Sequence, residues 1–271
     1  MESRSVPEAN ISAEELLAHV LRKPKHLLYL EPKLSVNPSL ARQFDFLLEK
    51  RSERYPLQYL LKTVPFRSTV LWVGEGCLIP RPETEFLVEV VLRELGSRLS
   101  AARLLDVGTG SGNVAIGLAK ERPTWKIVAT DISEKALSFA KVNSKQNAVD
   151  RQVYFIQTDL WQGIGEATFD AVVSNPPYLT HDELSTLQPE IAFEPSLAFD
   201  GGEDGLDFFR RMVENVSTVL KPDGEVFFEV GANQAPFVSE FFNRSGFESI
   251  RIFKDYNDIG RVITGRLSRR G

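Results

Sequence analysis

One cysteine, Cys77, and three scattered histidines leave this 271-residue chain without the parts for several kinds of chemistry. A single thiol cannot form an intramolecular disulfide or build a thiolate cage around a metal. His19, His26 and His181 fall far apart and show no ligand spacing, so no metal is expected. His181 follows Asn175 by six residues and reads as an exposed loop residue. Also missing are an uninterrupted apolar run of bilayer-spanning length and a basic, apolar N-terminal leader, so a cytoplasmic protein with no membrane partner is expected. Positive charge is not in excess either. Net charge is −5, with 11 Lys+Arg against 9 Asp+Glu in residues 1–75 (+2) and 21 against 28 in residues 76–271 (−7). A duplex-binding module concentrates cations on one face, and neither part shows such a stripe, so direct nucleic-acid binding is not expected.

What is present is an ordinary globular composition, 42% apolar and 25% charged, in a chain long enough for two unequal domains. No internal repeat or low-complexity segment interrupts it. After a loose first ten residues, Ser12 and Glu15 have capping-box spacing and Leu16, Leu17, Val20 and Leu21 form one apolar face, a short helix that Pro24 ends. Asn37-Pro38 caps a second helix, with Leu40, Phe44, Leu47 and Leu48 repeating at helical spacing to about Arg51. From Val64 the pattern turns extended. Phe66–Val73, a turn at Gly74-Glu75-Gly76 and Cys77–Ile79 read as a β-hairpin, and Pro80–Leu95 as the next helix.

Strands and helices then alternate, with strands expected at Arg103–Val107, Lys126–Thr130, Val153–Gln157, Ala171–Ser174 and Glu225–Val230. No helix fits between the last two extended runs, Ser249–Lys254 and Val262–Arg266, so they must pair antiparallel. The fold class is α/β: a mostly parallel Rossmann-like sheet with a terminal antiparallel hairpin, preceded by a small helical domain. Its expected parts are residues 1–63, a β-hairpin linker at 64–79, and 80–271.

Two motifs fall at strand ends. Leu104-Leu105-Asp106-Val107-Gly108-Thr109-Gly110-Ser111-Gly112 runs from an apolar strand through a glycine-rich turn into a helix. Glycines let the backbone approach a ligand, and a helix N-terminus presents free N–H groups. Asp131 closes the next strand, where its carboxylate can accept both hydroxyls of a ribose or simply cap a helix. Asn175-Pro176-Pro177-Tyr178 follows the run Phe169–Ser174. Two prolines have no N–H and cannot continue a ladder, so the strand must stop there and turn out. The Asn175 side-chain carbonyl and the Pro176 carbonyl then offer two acceptors, and Tyr178 an aromatic wall, a seat for a planar NH2 group. The bland alternative is a strand-ending turn with a packed tyrosine.

The Gly108–Gly112 loop, Asp131 and Asn-Pro-Pro-Tyr resemble the class I S-adenosylmethionine-dependent methyltransferases that modify planar nitrogens. Within that class, Pro56-Leu57-Gln58-Tyr59, Leu78-Ile79-Pro80-Arg81-Pro82-Glu83-Thr84-Glu85, Glu194-Pro195-Ser196-Leu197-Ala198 and Asp204-Gly205-Leu206 resemble the PrmC/HemK family of peptide chain release factor glutamine methyltransferases. The resemblance covers the chain from about Pro56 onward. Three positions depart from it: Lys62 stands where a glycine is usual, Asn113 replaces an alanine, and Leu160 an aromatic found in some members.

The resemblance implies that S-adenosyl-L-methionine is the cofactor. It places the methionine moiety on Gly108, Thr109, Gly110, Ser111 and Gly112, the ribose on Asp131, and the adenine edge on Asp159 and Leu160. Asp159 as a turn cap competes. It also implies that Asn175, Pro176 and Tyr178 are catalytic, with Asn175 and Pro176 holding the reacting nitrogen and Asn175 also facing the cofactor, that Pro177 and Tyr178 wall the substrate, and that residues 1–63 recognise the substrate. Tyr178 as plain packing stays open. Arg81 reads either as a substrate contact or as bracing the hairpin against the sheet through a carboxylate such as Glu194, with bracing favoured. The implied partner is a class 1 peptide chain release factor, modified by a monomer at the glutamine of its Gly-Gly-Gln motif. The rivals are a ribosomal-protein glutamine methyltransferase, an adenine-N6 methyltransferase and an idle binding module.

Overall fold

The computed structural model describes residues 6–30 and 35–268. Its N-terminal part holds four helices, α1 (Ala9–Leu21), α2 (His26–Leu30), α3 (Pro38–Ser52) and α4 (Leu57–Leu61). α3 starts as its residues require: the Asn37 side chain accepts from the Leu40 N–H at 2.9 Å, and Pro38 sits in the first turn, where no intrahelical bond is lost. α1 does not. It begins at Ala9, ahead of Ser12, whose N–H already bonds the Glu8 carbonyl at 2.9 Å. The buried Ser12 hydroxyl instead accepts from Arg51 Nε at 3.3 Å, so a capping-box spacing serves a tertiary contact with α3. The expected loose first ten residues also divide, since Val6 is buried and Ala9 and Asn10 are helical, while 1–5 lie outside the described residues. Leu16, Val20, Leu47 and Leu60 close a small core.

The hairpin is displaced from its expected register. Its strands are β1 (Thr63–Phe66) and β2 (Thr69–Trp72), joined at Arg67-Ser68, with Arg67 at φ +48° and the Thr69 hydroxyl donating to the Phe66 carbonyl at 2.7 Å. Period-2 burial decides this, because Val64, Phe66 and Leu71 then all face inward. The Gly74–Gly76 turn follows the hairpin, and Cys77–Ile79 forms no strand. Tyr59, Val64, Phe66 and Leu71 belong to the core of the large sheet, so the hairpin is packed onto that sheet. Lys62 caps α4 at φ +66°, a left-handed conformation that glycine adopts without strain, which accounts for the usual glycine there.

Beyond it lie α5 (Pro82–Gly96), β3 (Arg103–Val107), α6 (Asn113–Glu121), β4 (Lys126–Asp131), α7 (Glu134–Gln146), β5 (Val153–Gln157), β6 (Phe169–Ser174) and α8 (His181–Leu184). The chain finishes with α9 (Asp207–Asn215), β7 (Leu220–Glu229), α10 (Ala235–Arg244), β8 (Phe247–Lys254) and β9 (Gly260–Leu267). The sheet order is β5-β4-β3-β6-β7-β9-β8, parallel except at β9, which pairs antiparallel with both β7 and β8. The terminal antiparallel pair was expected; that β9 inserts beside β7, leaving β8 at the edge, was not specified by the pattern.

Helices cover both faces. α5 and α6 bury Leu87, Val90, Val91, Ile116 and Leu118 against one face, while α9 and α10 bury Phe209, Met212, Val238 and Phe242 against the other. Each such side chain contributes about 1.5–3 kcal/mol of apolar transfer free energy. Among the described residues, no helix is long and apolar enough to cross a membrane, and no cluster of His, Cys, Asp or Glu could hold a metal.

Candidate active site

From β3 the chain moves outward to β4 and β5, then returns to lay β6 on the other side of β3. That reversal is a switch point, and loops leaving β3 and β6 must part there and open a crevice at the carboxyl ends of the strands. Val107 and Ser174 are register partners, so the glycine loop and Asn-Pro-Pro-Tyr leave the sheet side by side.

The glycine loop is held from below. Asp106 Oδ2 accepts from the Thr109 hydroxyl at 2.6 Å and the Ala115 N–H at 3.1 Å, and the Thr109 N–H reaches the Thr130 carbonyl at 2.9 Å. Burial pushes the Asp106 carboxyl up to about 7, partly opposed by those two donors. The five loop residues therefore divide in role. Gly108 and Gly110 have φ of +70° and +55°, and a Cβ at either would meet nothing within 4 Å, so both present bare backbone to open space. Thr109 and Ser111 are buried, and Gly112 packs against Ile116 and Ala140.

Asp131 ends β4 on the opposite wall. Its Oδ2 accepts from the Gly110 N–H and its Oδ1 from the Ser133 N–H, both at 2.8 Å. The cap of α7 is Ser133, whose hydroxyl accepts from the Ala136 N–H, so the plain-cap alternative for Asp131 does not describe this site. Burial raises the Asp131 carboxyl, and the N–H groups of Ser133, Gly110 and Ile132 draw it back down. The carboxylate keeps acceptor capacity for a ligand hydroxyl.

A cleft of about 250 Å³ runs between these walls, with Gly108, Gly110, Asp131, Asp159, Leu160, Asn175, Pro176 and Pro177 among its lining. Asp159 is ion-paired with Arg211 of α9 at 2.6 Å. Phe208, Arg211 and Met212, together with Gly76, Leu78, Pro195 and Leu197, also line the cleft. None of these was assigned from the sequence. They come from the linker, the 175–206 segment and α9; the motifs at 78–85 and 194–198 mark the first two stretches without placing them at the crevice.

A second cleft of about 530 Å³ adjoins the first, and Leu78, Asn175, Pro176 and Ala198 line both. Pro177 lines the inner cleft and Tyr178 the outer one, so the four residues of the motif form the partition. Asn175 Nδ2 donates to the buried Thr84 hydroxyl at 3.0 Å. With its NH2 so engaged, the Asn175 carbonyl oxygen is the group left to act as acceptor. Burial, then the nearby Glu229 carboxylate, pushes the Tyr178 phenol up to about 12, so its ring stands as a neutral wall. The 200–205 segment that follows is knitted to the motif. Gln234 Nε2 donates to the Tyr178 carbonyl at 2.8 Å and the Gly205 carbonyl at 3.2 Å, and Gly201 N–H reaches the Leu179 carbonyl at 2.9 Å.

Arg81 Nη2 donates to Glu194 Oε1 at 2.6 Å, and Glu194 Oε2 accepts from the Ile79 N–H at 2.9 Å; the expected pair forms, but it braces the segment after the hairpin and not the hairpin itself. Glu190 ties the same segment to α3, meeting Arg51 Nη1 at 2.9 Å and Arg54 Nη2 at 2.6 Å. Burial would raise the Glu190 carboxyl, but the two guanidinium groups outweigh it and hold it low. His181 is exposed and faces Asp200.

Two family models match: a PrmC N-terminal domain over residues 1–61 and a methyltransferase small domain over residues 82–193. A release factor glutamine methyltransferase from Thermodesulfovibrio yellowstonii is 40% identical over 93% of this chain and 90% of the relative. The chain belongs to the release factor glutamine methyltransferase family. A second relative of that name, from Geobacter sulfurreducens, is 37% identical over 97% of this chain and 92% of its own length. A methyltransferase structure from Pyrococcus furiosus shares the fold, with a TM-score of 0.56, 18% identity and coverage of 84% of this chain and 98% of that one.

Membership makes S-adenosylmethionine the methyl donor, and the inner cleft fits it. Bare glycine backbone admits a close-lying amino-acid tail, and a carboxylate with free lone pairs suits a ribose diol. Asp131→Ala is expected to weaken cofactor binding at least ~10-fold in titration calorimetry, since a charged hydrogen bond contributes about 1.5–3 kcal/mol. Unchanged affinity in the folded variant would leave Asp131 a purely structural role.

Proposed function

We propose that this chain transfers a methyl group from S-adenosylmethionine to the side-chain amide of the glutamine in the Gly-Gly-Gln motif of a class 1 release factor, giving N5-methylglutamine. The observation that carries this reading is the meeting of two clefts at Asn175 and Pro176, one suited to the cofactor and one open to a protein loop. The bound cofactor supplies an electrophilic sulfonium methyl. The residues of the chain supply position and polarity.

An amide nitrogen is a poor nucleophile because its lone pair is delocalised into the carbonyl. Asn175 Oδ1 and the Pro176 carbonyl accept its two N–H bonds, which directs the remaining nitrogen density toward the inner cleft and favours the partly cationic nitrogen of the transition state. The spare proton on nitrogen leaves to water once the N–C bond has formed, because an N-methylated amide cation is strongly acidic. No strong base is therefore required, and in-line positioning supplies several kcal/mol. The Tyr178 ring face adds ~0.5–2 kcal/mol toward the developing charge. The outer cleft, lined also by Ser12, Arg51, Pro56, Gln58 and Glu190, receives the substrate between the helical domain and the sheet, which gives residues 1–63 their recognition role. We place the reaction in a monomer without direct nucleic-acid contact.

Labelled methyl incorporation measured in parallel on a release factor, ribosomal proteins and DNA tests this reading. Label is expected in the release factor; label confined to DNA or a ribosomal protein would transfer the assignment to that substrate.

A further inference from the structure

Behind Asn175 lies a carboxylate that the catalytic reading does not use. Glu229 ends β7, is 2% exposed, and its Oε2 has no hydrogen-bond partner among the described residues. A carboxylate buried this way is costly unless its charge is served by a donor or does work on a neighbour. The donor at hand is Thr84, fully buried in the first turn of α5.

The Thr84 hydroxyl has one proton to give and lone pairs to receive. It receives from Asn175 Nδ2 at 3.0 Å, so its own proton is free for an acceptor. Burial pushes the neighbouring Glu229 carboxyl up to about 7, and Thr84 draws it back down. With Glu229 ionised, one arrangement satisfies all three groups. If the Asn175 amide were flipped, its oxygen would face the Thr84 oxygen, and Thr84 could satisfy it only by withdrawing its proton from Glu229. The relay thus runs from the Asn175 NH2 through the Thr84 hydroxyl to the Glu229 carboxylate, crossing β6, α5 and β7. Each donor in such a chain is polarised by the next acceptor, by roughly 10–30% per bond, and a carboxylate at its end makes the Asn175 carbonyl oxygen more negative. Arg261 of β9 and Glu83 of α5 are the other charges facing Glu229, with opposite effects, and the neutral Tyr178 ring closes the group.

We propose that Thr84, backed by Glu229, is a positioning residue that locks the Asn175 amide with its oxygen toward the acceptor nitrogen and strengthens that oxygen as an acceptor. The inference rests on the assignment of Asn175 as the group that holds the substrate amide. Glu229 touches neither substrate nor cofactor and acts through Thr84.

The test compares Thr84→Val, which keeps the shape and removes the hydroxyl, with Thr84→Ser, which keeps the hydroxyl. Thr84→Val is expected to lower kcat about 10- to 100-fold, with KM for the release factor and Kd for the cofactor changed less than about 3-fold. Thr84→Ser restores kcat to within about 3-fold of wild type, and adding Thr84→Val to Asn175→Ala costs nothing further. Hydrogen exchange of the Asn175 carboxamide, followed by NMR without substrate, should show a protected Nδ2–H in wild type and Thr84→Ser that is lost in Thr84→Val. Glu229→Gln, read by the same exchange and by kcat, covers the case of a Thr84→Val protein that does not fold, with both expected to fall. Wild-type kcat and unchanged exchange in either folded variant, beside an inactive Asn175→Ala enzyme, overturn the relay while leaving the site reading intact. A fully active Asn175→Ala enzyme would instead overturn the site reading.

Discussion

Asn175→Ala is expected to lower turnover at least ~100-fold in a protein that stays folded and keeps most of its cofactor affinity. The residue is half-buried at the partition between the clefts, and its NH2 is held by Thr84. The loss is that of one preorganised polar group at a reacting centre, worth about 10²–10³ in rate. Fold should survive because β6 is built by Phe169, Ala171, Val172 and Val173, all buried, and ends at Ser174, whose hydroxyl bonds the Val107 carbonyl at 2.8 Å. Asn175→Asp should fail as well. It keeps an acceptor but loses the N–H given to Thr84 and adds a second carboxylate near Glu229. Steady-state kinetics with calorimetric cofactor titration checks both variants, and full activity in Asn175→Ala would remove the proposed mechanism.

Replacing the substrate Gly-Gly-Gln by Gly-Gly-Glu is expected to abolish methylation. In the proposed mechanism Asn175 Oδ1 and the Pro176 carbonyl form a seat of two acceptors, which selects a planar nitrogen carrying two hydrogens. A carboxylate has none and is repelled by both acceptors. The flanking glycines matter for a related reason, since the acceptor glutamine must reach the partition between Pro176 and the Tyr178 ring, and only a thin backbone follows it that far. An intact release factor should outperform a short peptide, whose ordering opposes binding and which lacks contact with the helical domain. Labelled-methyl transfer to the paired substrates measures this. Equal labelling of the Glu variant would show that the acceptor seat does not select the nitrogen.

The parts of this site that could be read from sequence are those specified by local chemistry. Two prolines after a β-branched run stop a strand wherever they occur, and glycines at positive φ follow β3 because the backbone there needs them. The Asn37-Pro38 cap is equally local. What could not be read depends on residues far apart in the chain. Thr84 meets Asn175 across 91 positions and Arg51 meets Glu190 across 139, and no periodicity records such a pairing. The hairpin turn moved from Gly74–Gly76 to Arg67-Ser68 because inward packing of Phe66 and Leu71 on the sheet outweighed turn propensity. Ser12 was spaced like a cap, and its fate was set by Arg51 on another helix. The α9 wall of the cofactor cleft reads in sequence only as an amphipathic helix, since nothing in Asp207–Asn215 announces that Phe208 and Arg211 turn toward a ligand.

The central claim is that the outer cleft delivers a protein glutamine amide to the Asn175–Pro176 seat. Tandem mass spectrometry of an intact release factor, after incubation with this enzyme and isotopically labelled S-adenosylmethionine, tests it most directly. The account predicts a single labelled methyl on the side-chain nitrogen of the Gly-Gly-Gln glutamine, absent when the Asn175→Ala enzyme is used. A release factor that remains unlabelled, or a methyl found on any other residue, would contradict it.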